Sequence, residues 1–240
     1  MAIFKPPRSG RLSVLFSLLG TVFLFGVLPA ATTPNYRVQP RDKGRRQLFN
    51  GKDLTGWDHV GPGSMTVEDG LLRGHGGMGL LYWAGEEFGN CTFHIVYRMQ
   101  DENDNSGVFI RIPIEPREEW MPVHYGYEVQ IDNHPETSNE DDYHITGTLY
   151  SLTKPLAKPG KPGPEWNTMD IMLDGPRTVV FVNGVKVTDY REGEPVPPRK
   201  FDYEPLRGRR PDRGYFGIQN HSDKDIVFFK EISVSYARRS

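Results

Sequence analysis

Residues 125–133 carry the side chains best suited to chemistry. Glu128, Gln130 and Asp132 alternate there with apolar residues. Because successive side chains of a β-strand point to opposite faces, all three would project from the same face of a sheet. Two carboxyls with an amide between them offer acid–base and hydrogen-bonding groups along one line. The pattern predicts either the floor of a ligand groove or a solvated strand face, and residues alone leave both open.

The spacing of the two carboxyls restricts the mechanism. Glu128 and Asp132 are four residues apart in the chain, which at ~3.3 Å per residue separates them by roughly 13 Å along a strand. The paired carboxyls of retaining and inverting glycosidases lie about 5 to 10 Å apart. We therefore predict that the working carboxylate has its partner on another strand, and His221 is the leading candidate.

The chain after residue 46 has the pattern of an all-β domain. Short alternating or β-branched segments are separated by Gly, Pro, Asn and Asp, and Asp69-Gly70 and Asn183-Gly184 suit tight hairpin turns. No segment has the pattern of a long amphipathic helix. These features predict an antiparallel β-sandwich or jelly roll. The predicted strands are 64–68, 71–74, 92–99, 107–112, 125–133, 167–173, 178–182, 185–190, 215–219 and 226–236.

Two long irregular connections interrupt this pattern, at 153–165 and 191–214. Long loops in compact domains are commonly functional or disordered. The second connection is rich in arginine and lysine, notably at Arg207 and Arg210. It is predicted to be a solvated basic loop or, alternatively, a lid over an anionic or polyhydroxyl ligand.

The N-terminus is predicted to direct export. Lys5, Arg8 and Arg11 precede an uncharged, mainly apolar run at 12–31, which is the order of a signal peptide. The run is also about long enough to span a bilayer, so a cleaved signal and an uncleaved membrane anchor both stay open. In either case the domain is expected in the periplasm or outside the cell. The predicted organisation is a signal or anchor at 1–31, a linker at 32–46 and the β domain at 47–240.

Composition argues against a nucleic-acid-binding protein and against one stabilised by disulfides or anchored by a lipid-modified cysteine. Lys and Arg number 29 against 31 Asp and Glu, a formal net charge of −2, which argues against nucleic acid as a partner. Cys91 is the only cysteine. No intrachain disulfide can therefore form, and no lipid-modified cysteine follows the apolar run.

Nine short motifs in order resemble one known family. They are LFNGKDLTGW at 48–57, VEDGLL at 67–72, NSGVFIR at 105–111, GYEVQID at 126–132, GTLY at 147–150, EWN at 165–167, VNG at 182–184, GIQNH at 217–221 and FFKEI at 228–232. This order resembles the 3-keto-disaccharide hydrolase domain family over about residues 47–236. The resemblance implies a concanavalin-like β-sandwich with a concave ligand face. It also implies a hydrolase that cleaves glycosides oxidised to a ketone at sugar C3.

A ketone at C3 changes what the reaction needs. The ketone acidifies the C2 proton, so a base can remove it and expel the glycosidic oxygen from C1, after which water adds to the enone. This route needs a base, a group that holds the enolate oxygen and an acid for the leaving group. We predict Glu128 as the base, His221 as the acid or second base and Asp132 as the second catalytic carboxyl. Arg111 or a metal ion is predicted to hold the enolate.

The predicted substrate contacts are Gln130, Arg111, Tyr150 and Gln219. Arg111 could equally pair with a carboxylate. Where family members usually read Gln-Asp-His, this chain has Gln219, Asn220 and His221, so no role is assigned to Asn220.

Cofactors and partners are predicted less narrowly. Two carboxylates and an imidazole could hold a divalent cation that polarises the ketone, but no spacing here is diagnostic, so no metal ligand is assigned. The expected substrate is an oxidised glycoside, and the resemblance implies a partner sugar 3-oxidoreductase. The rival interpretation is a non-catalytic carbohydrate-binding or envelope interaction module, because this architecture hosts both.

Overall fold

The computed structural model describes residues 44–134 and 141–236, and antiparallel strands are the main regular structure of this part of the chain. Numbered in chain order, eight strands form the larger sheet: β1 (Arg46–Gln47), β3 (Ser64–Glu68), β4 (Leu71–His75), β6 (Cys91–Met99), β9 (Asn167–Asp174), β10 (Arg177–Val182), β11 (Val185–Arg191) and β13 (Val227–Ser235). Five form the smaller sheet in the spatial order β2 (Trp57–Val60), β5 (Gly79–Trp83), β12 (Tyr215–Asn220), β7 (Ser106–Ile112) and β8 (Tyr127–Ile131). The prediction of an all-β sandwich is confirmed.

Helical structure in the described ranges is limited to α1 (Met121–Tyr125) and a 3₁₀ turn at Asp141–Tyr143. None of the helices in those ranges is long and apolar enough to cross a membrane. The apolar run at 12–31 and most of the predicted linker lie outside the described residues. The end of that linker differs from the prediction, because Arg46 begins β1, which pairs with β13.

Both predicted hairpin turns are present. Asp69 and Gly70 have φ values of 50° and 78°, and Asn183 and Gly184 have values of 49° and 78°. These left-handed conformations suit a type I′ turn, which Asn, Asp and Gly tolerate best. Strands β3 and β4, and strands β10 and β11, pair directly across these turns.

The main core lies between the two sheets. Tyr127, Val129 and Ile131 of β8 are fully buried in it, while the alternate residues of β8 point to the opposite face. Phe93 of β6 stacks on Phe216 of β12 with 4.2 Å between ring centroids, so aromatic packing joins the sheets directly. Burial of this face determines which side of β8 is left for a ligand.

A second apolar cluster covers part of the outer face of the smaller sheet, the face that points away from the main core. It joins side chains of the sheet to side chains of α1. Its buried members are Leu80, Tyr82, Phe109, Ile112, Met121 and Val123. The rest of the outer face is not filled by apolar side chains and forms a cavity.

Asn220 ties the two sheets together. Its Nδ2 donates to the backbone oxygen of Ser64 at 2.8 Å and to that of His75, both in the larger sheet. Alternation along β12 therefore turns Asn220 away from the cavity and leaves Gln219 and His221 on the cavity side. The residue at which this chain departs from the family pattern has a structural contact here.

Candidate active site

The outer face of the smaller sheet carries a cavity of about 860 Å³. This lies within the size range of small-molecule sites, about 300–1,000 Å³. The cavity gathers six of the seven predicted site residues, whereas Arg111 lies elsewhere. The six are Glu128, Gln130, Asp132, Tyr150, Gln219 and His221.

Strand register brings the cavity floor together. In the pairing of β7 with β8, Gly107 lies opposite Gln130. In the pairing of β12 with β7, Ile218 lies opposite Val108, so the next residue, Gln219, meets Gly107 from the other side. Gly107 thus separates two side-chain amides on the floor. A single strand pattern predicted the β8 residues, and pairing with β12 adds the groups that could act with them.

Gly107 makes room for the Glu128 carboxyl. A Cβ atom at residue 107 would lie 2.2 Å from Glu128 Oε1 and 2.7 Å from its Cγ. Real Cβ atoms do not approach other atoms so closely, and the carboxyl is packed against the sheet with only 7% of Glu128 exposed. Any side chain at residue 107 must therefore displace Glu128.

Replacing Gly107 with Ala should lower kcat by about 10²-fold or more, because a displacement of about 1 Å can misplace a catalytic group that strongly. Turnover and the melting temperature of Gly107→Ala would be measured together. A folded variant with wild-type turnover would show that the position of Glu128 is unimportant. Gly217→Ala is the matched control, since its Cβ would meet Leu80 and not a site residue.

Burial dominates the acidity of Glu128. It raises the pKa of Glu128 to about 8, because a charged carboxylate loses its hydration inside the protein. The positive charge of His221 and a hydrogen bond from Gln219 partly offset this increase, and the negative charge of Asp132 adds to it. A carboxyl with a pKa near neutral pH is suited to proton transfer.

The pKa of Asp132 is raised less than that of Glu128. Burial raises the pKa of Asp132 to about 6, and the backbone N–H of His134, which donates to Oδ1 at 2.8 Å, opposes the increase. Asn105 Nδ2 donates to Oδ2 at 3.3 Å. The carboxyls of Glu128 in β8 and of Asp132 just after it therefore differ: at pH 7, Asp132 is mainly ionised and Glu128 mainly protonated.

His221 and Asp225 form a hydrogen-bonded pair. His221 Nδ1 lies 2.7 Å from Asp225 Oδ2, and Asp225 also accepts from the backbone N–H of Asn105 at 2.9 Å and from the Ser222 hydroxyl. Partial burial lowers the pKa of His221, but the hydrogen bond and charge of Asp225, together with the charges of Glu128 and Asp132, outweigh it, and the pKa is raised. The pair therefore favours the protonated form of the imidazole at the site of Glu128.

Asp225→Asn should shift the alkaline limb of the kcat/KM–pH profile to lower pH. The Asp225 carboxylate raises the pKa of His221, so its removal lets the imidazole lose its proton at lower pH. Activity that requires the imidazolium is then lost earlier as pH rises. Profiles of wild type, Asp225→Asn and the neighbouring Asp223→Asn would be compared. An alkaline limb that stays in place in Asp225→Asn would remove His221 as the acid.

Asn105 is a site residue that the sequence analysis missed. Its Oδ1 accepts from Gln130 Nε2 at 3.2 Å, its Nδ2 donates to Asp132, and its backbone N–H donates to Asp225. The pairing of Ser106 with Ile131 places Asn105 beside Asp132. The hairpin register could have located Asn105, whereas the contact of Asp225 depends on a loop conformation.

Two buried amide oxygens on the cavity floor accept no hydrogen bond from the described residues. Gln130 Oε1 and Gln219 Oε1 are buried and have no hydrogen-bond partner within the described residues. An unpaired buried acceptor costs about 1–3 kcal/mol. Both residues line the cavity, so hydroxyl groups of a ligand would satisfy these oxygens.

The structure places Arg111 away from the cavity, so its predicted contact with the enolate has no geometric basis. Three residue steps along β7 correspond to two along β12 at this point, and Arg111 has φ of 55°. This bulge interrupts the alternation, and Ile112 packs with Phe109 on the outer face instead. The buried guanidinium of Arg111 donates to the backbone oxygens of Pro211 (3.0 Å) and Gly175 (2.6 Å).

Aromatic side chains form the cavity walls. Tyr150 lines the cavity as predicted and stacks on His144 at 4.7 Å between ring centroids. Its backbone N–H donates to the Glu128 backbone oxygen at 2.9 Å, so the segment that carries Tyr150 borders β8. Trp120 and Tyr203 also line the cavity.

A metal site is not built into the described residues. No group of three or more His, Cys, Asp or Glu side chains in the described ranges is arranged to hold a metal ion. Glu128, Asp132 and His221 share the cavity but do not form such a group. We therefore derive no step through a metal.

The two-sheet fold and its polar, aromatic-lined cavity define a β-sandwich with a candidate carbohydrate site on its outer face. Residues 44–235 match the family described as the 3-keto-alpha-glucoside-1,2-lyase-like domain. The chain belongs to this family, and the resemblance inferred from its nine motifs is confirmed. No curated protein matches the chain significantly.

Solved structures share the fold. A protein from Parabacteroides distasonis named "putative glycosyl hydrolase" is 24% identical, with 80% of this chain and 93% of that chain covered and a TM-score of 0.66. A Bacillus subtilis protein of unknown function with a galectin-like fold is 12% identical, with 82% and 96% covered and a TM-score of 0.57. At these identities the likeness shows the fold alone.

Proposed function

We propose that this protein cleaves glycosides that carry a ketone at sugar C3, by elimination across C1 and C2 followed by hydration. The observation that supports this most is the buried carboxyl of Glu128, with its pKa raised to about 8, in electrostatic contact with the His221–Asp225 pair. An elimination needs one group that accepts a proton and another that donates one. Membership of the 3-keto-alpha-glucoside-1,2-lyase-like family supports a keto-glucoside as the proposed substrate class.

Glu128 is the proposed base. The ionised carboxylate takes the C2 proton, and the electrons of the C2–H bond form an enolate whose charge lies on the C3 oxygen. Burial makes Glu128 a stronger base than an exposed glutamate, because proton uptake relieves the cost of a buried charge. The active form is the fraction with Glu128 ionised and His221 protonated, and the two groups titrate as a coupled pair.

His221 is the proposed acid. The enolate collapses, a C1–C2 double bond forms, the bond from C1 to the glycosidic oxygen breaks, and His221 gives its proton to the leaving oxygen. Lys224 is the one lysine or arginine among the described residues that line the cavity. It replaces Arg111 as the proposed cationic partner of the enolate oxygen.

Asp132 is the proposed base for hydration. It is mainly ionised at neutral pH and can accept a proton from the water that adds to C1. The proton on the Glu128 carboxyl exchanges with solvent between the two stages, and Glu128 then delivers a proton to C2, which regenerates the ketone. The sum of both stages is hydrolysis of the glycosidic bond. Transfer of a proton from Asp132 to His221 then returns all three groups to their starting protonation states.

Export and supply of the substrate are proposed alongside this chemistry. The basic and apolar N-terminal segment supports delivery to the periplasm or the cell exterior, by a cleaved signal or an anchor. The ketone requires a prior oxidation at C3, so a sugar 3-oxidoreductase must act before this protein.

The test is incubation of the protein with 3-keto-trehalose and 3-keto-lactose, with the unoxidised disaccharides as controls and with chelator in a parallel series. We expect release of the alcohol from the keto sugars alone, together with the enone or its hydrate. Rate loss in chelator would add a metal requirement. Binding of unoxidised disaccharide without cleavage of either keto sugar would instead favour a carbohydrate-binding module.

A further inference from the structure

Two exposed aromatic side chains stand at the mouth of the cavity. Trp120 and Tyr203 both line it and are 41% and 45% exposed. They come from distant parts of the chain: Trp120 precedes α1, and Tyr203 lies in the irregular connection 191–214. Large exposed rings that border a ligand site are typical of binding surfaces.

Stacking partners fix the planes of both rings. Trp120 packs on His124 with 6.2 Å between ring centroids and 26° between planes, and Tyr203 packs on Phe201 at 5.1 Å and 10°. His124 Nε2 also lies 3.1 Å from the backbone oxygen of Asp202. The two ring pairs therefore belong to one connected surface, which we call the aromatic rim and define as Trp120 and Tyr203.

Two arginines organise the connection that carries Tyr203. Arg210 is 5% exposed and donates to the backbone oxygens of Gly126 at 2.9 Å and Leu206 at 2.6 Å. Arg207 donates to the backbone oxygen of Pro205 at 2.6 Å and pairs with Glu204. These arginines of connection 191–214 point into the protein, so the connection is organised before a ligand binds.

We infer that the aromatic rim is the subsite for the leaving group, and that the preferred substrates are 3-keto-glycosides whose aglycone is itself a ring. This inference depends on the proposed function. The oxidised sugar must reach Glu128, which is 7% exposed on the cavity floor, so the aglycone extends towards the mouth. A pyranose face or a flat aromatic group stacks on Trp and Tyr rings. A methyl aglycone is too small to reach them.

The test compares kcat/KM for 3-keto-trehalose, phenyl 3-keto-glucoside and methyl 3-keto-glucoside. Trp120→Ala and Tyr203→Ala should each lower the value for the ring aglycones by about 3- to 10-fold, the worth of one stacked ring. The methyl substrate should change less than about twofold, since it lacks the stacked ring. Tyr125→Ala is the matched control, because Tyr125, the last residue of α1, is 48% exposed but does not line the cavity. A loss of kcat/KM confined to 3-keto-trehalose or to phenyl 3-keto-glucoside identifies whether the stacked aglycone is a sugar ring or an aromatic ring.

Equal losses on all three substrates, or no loss on either ring aglycone, would overturn the subsite. If wild type cleaves none of them, the proposed function fails and the subsite is tested by binding. Calorimetry with unoxidised trehalose and methyl glucoside should then show weaker binding of trehalose alone in both rim variants. Unchanged trehalose binding would overturn the subsite independently.

Discussion

Replacing Glu128 by Gln should lower kcat on 3-keto-trehalose by about 10²- to 10⁴-fold, the usual contribution of a positioned acid or base. Glutamine keeps the size of the side chain and its hydrogen-bonding capacity but cannot accept the C2 proton. KM should change little, because the lost interaction is with the transferring proton and not with the bound sugar. Steady-state rates of alcohol release measure both constants.

Glu192→Gln is the matched control for this result. Glu192 accepts a hydrogen bond from the Tyr127 hydroxyl at 2.6 Å, on the opposite face of β8 from Glu128, and glutamine can still accept it. We expect the control to turn over at close to the wild-type rate. A Glu128→Gln protein with wild-type kcat would remove Glu128 from the mechanism. A rise in KM with unchanged kcat would make it a binding residue only.

The same substitution should stabilise the fold, and more at pH 8 than at pH 5. The pKa of Glu128 is raised to about 8 in the folded protein, against 4.5 for a fully solvated glutamate. Below pH 4.5 both states are protonated. As pH rises towards 8, the unfolded chain releases its proton while the folded protein keeps it, so wild type loses stability. Glutamine has no such loss.

At pH 8 the free energy of unfolding of Glu128→Gln should exceed that of wild type by on the order of 3 kcal/mol. For a domain of this size this corresponds to about 6 to 12 °C in melting temperature. Thermal unfolding of both proteins at pH 5 and pH 8 measures it, and contributions from other titrating groups cancel in the difference. A difference in melting temperature that is equal at the two pH values would show that the Glu128 carboxyl is not buried as described. Opposite effects on activity and stability would mark a site that is strained for function.

The floor of the site could be predicted from β8 because one face of that strand is buried. Tyr127, Val129 and Ile131 fill the core, so the alternate side chains must share the outer face. The position of Arg111 could not be predicted in this way, because a bulge breaks the alternation of β7 just before the strand ends. Period-two reasoning works only while the backbone stays regular.

Other parts of the fold depend on contacts that a local pattern does not contain. Strand β5 has the continuous sequence GLLYW, which lacks alternation because both of its faces are covered, and it was missed together with the short β1 and β2. The contact between His221 and Asp225 depends on the conformation of the turn after β12. The places of these residues in the fold and in the site can be assigned only when strand register and loop geometry are known.

The most direct test of the account is cleavage of 3-keto-trehalose in D₂O, with the isotope at C2 of the released keto sugar read by NMR or mass spectrometry. Elimination predicts that the C2 proton is lost, so the enone lacks it and the hydrated product carries deuterium at C2. Deuterium incorporation at C2 with the wild-type protein must exceed both the incorporation without enzyme and the incorporation with Glu128→Gln. Release of the alcohol with the original C2 proton retained would contradict the account and indicate direct displacement at C1.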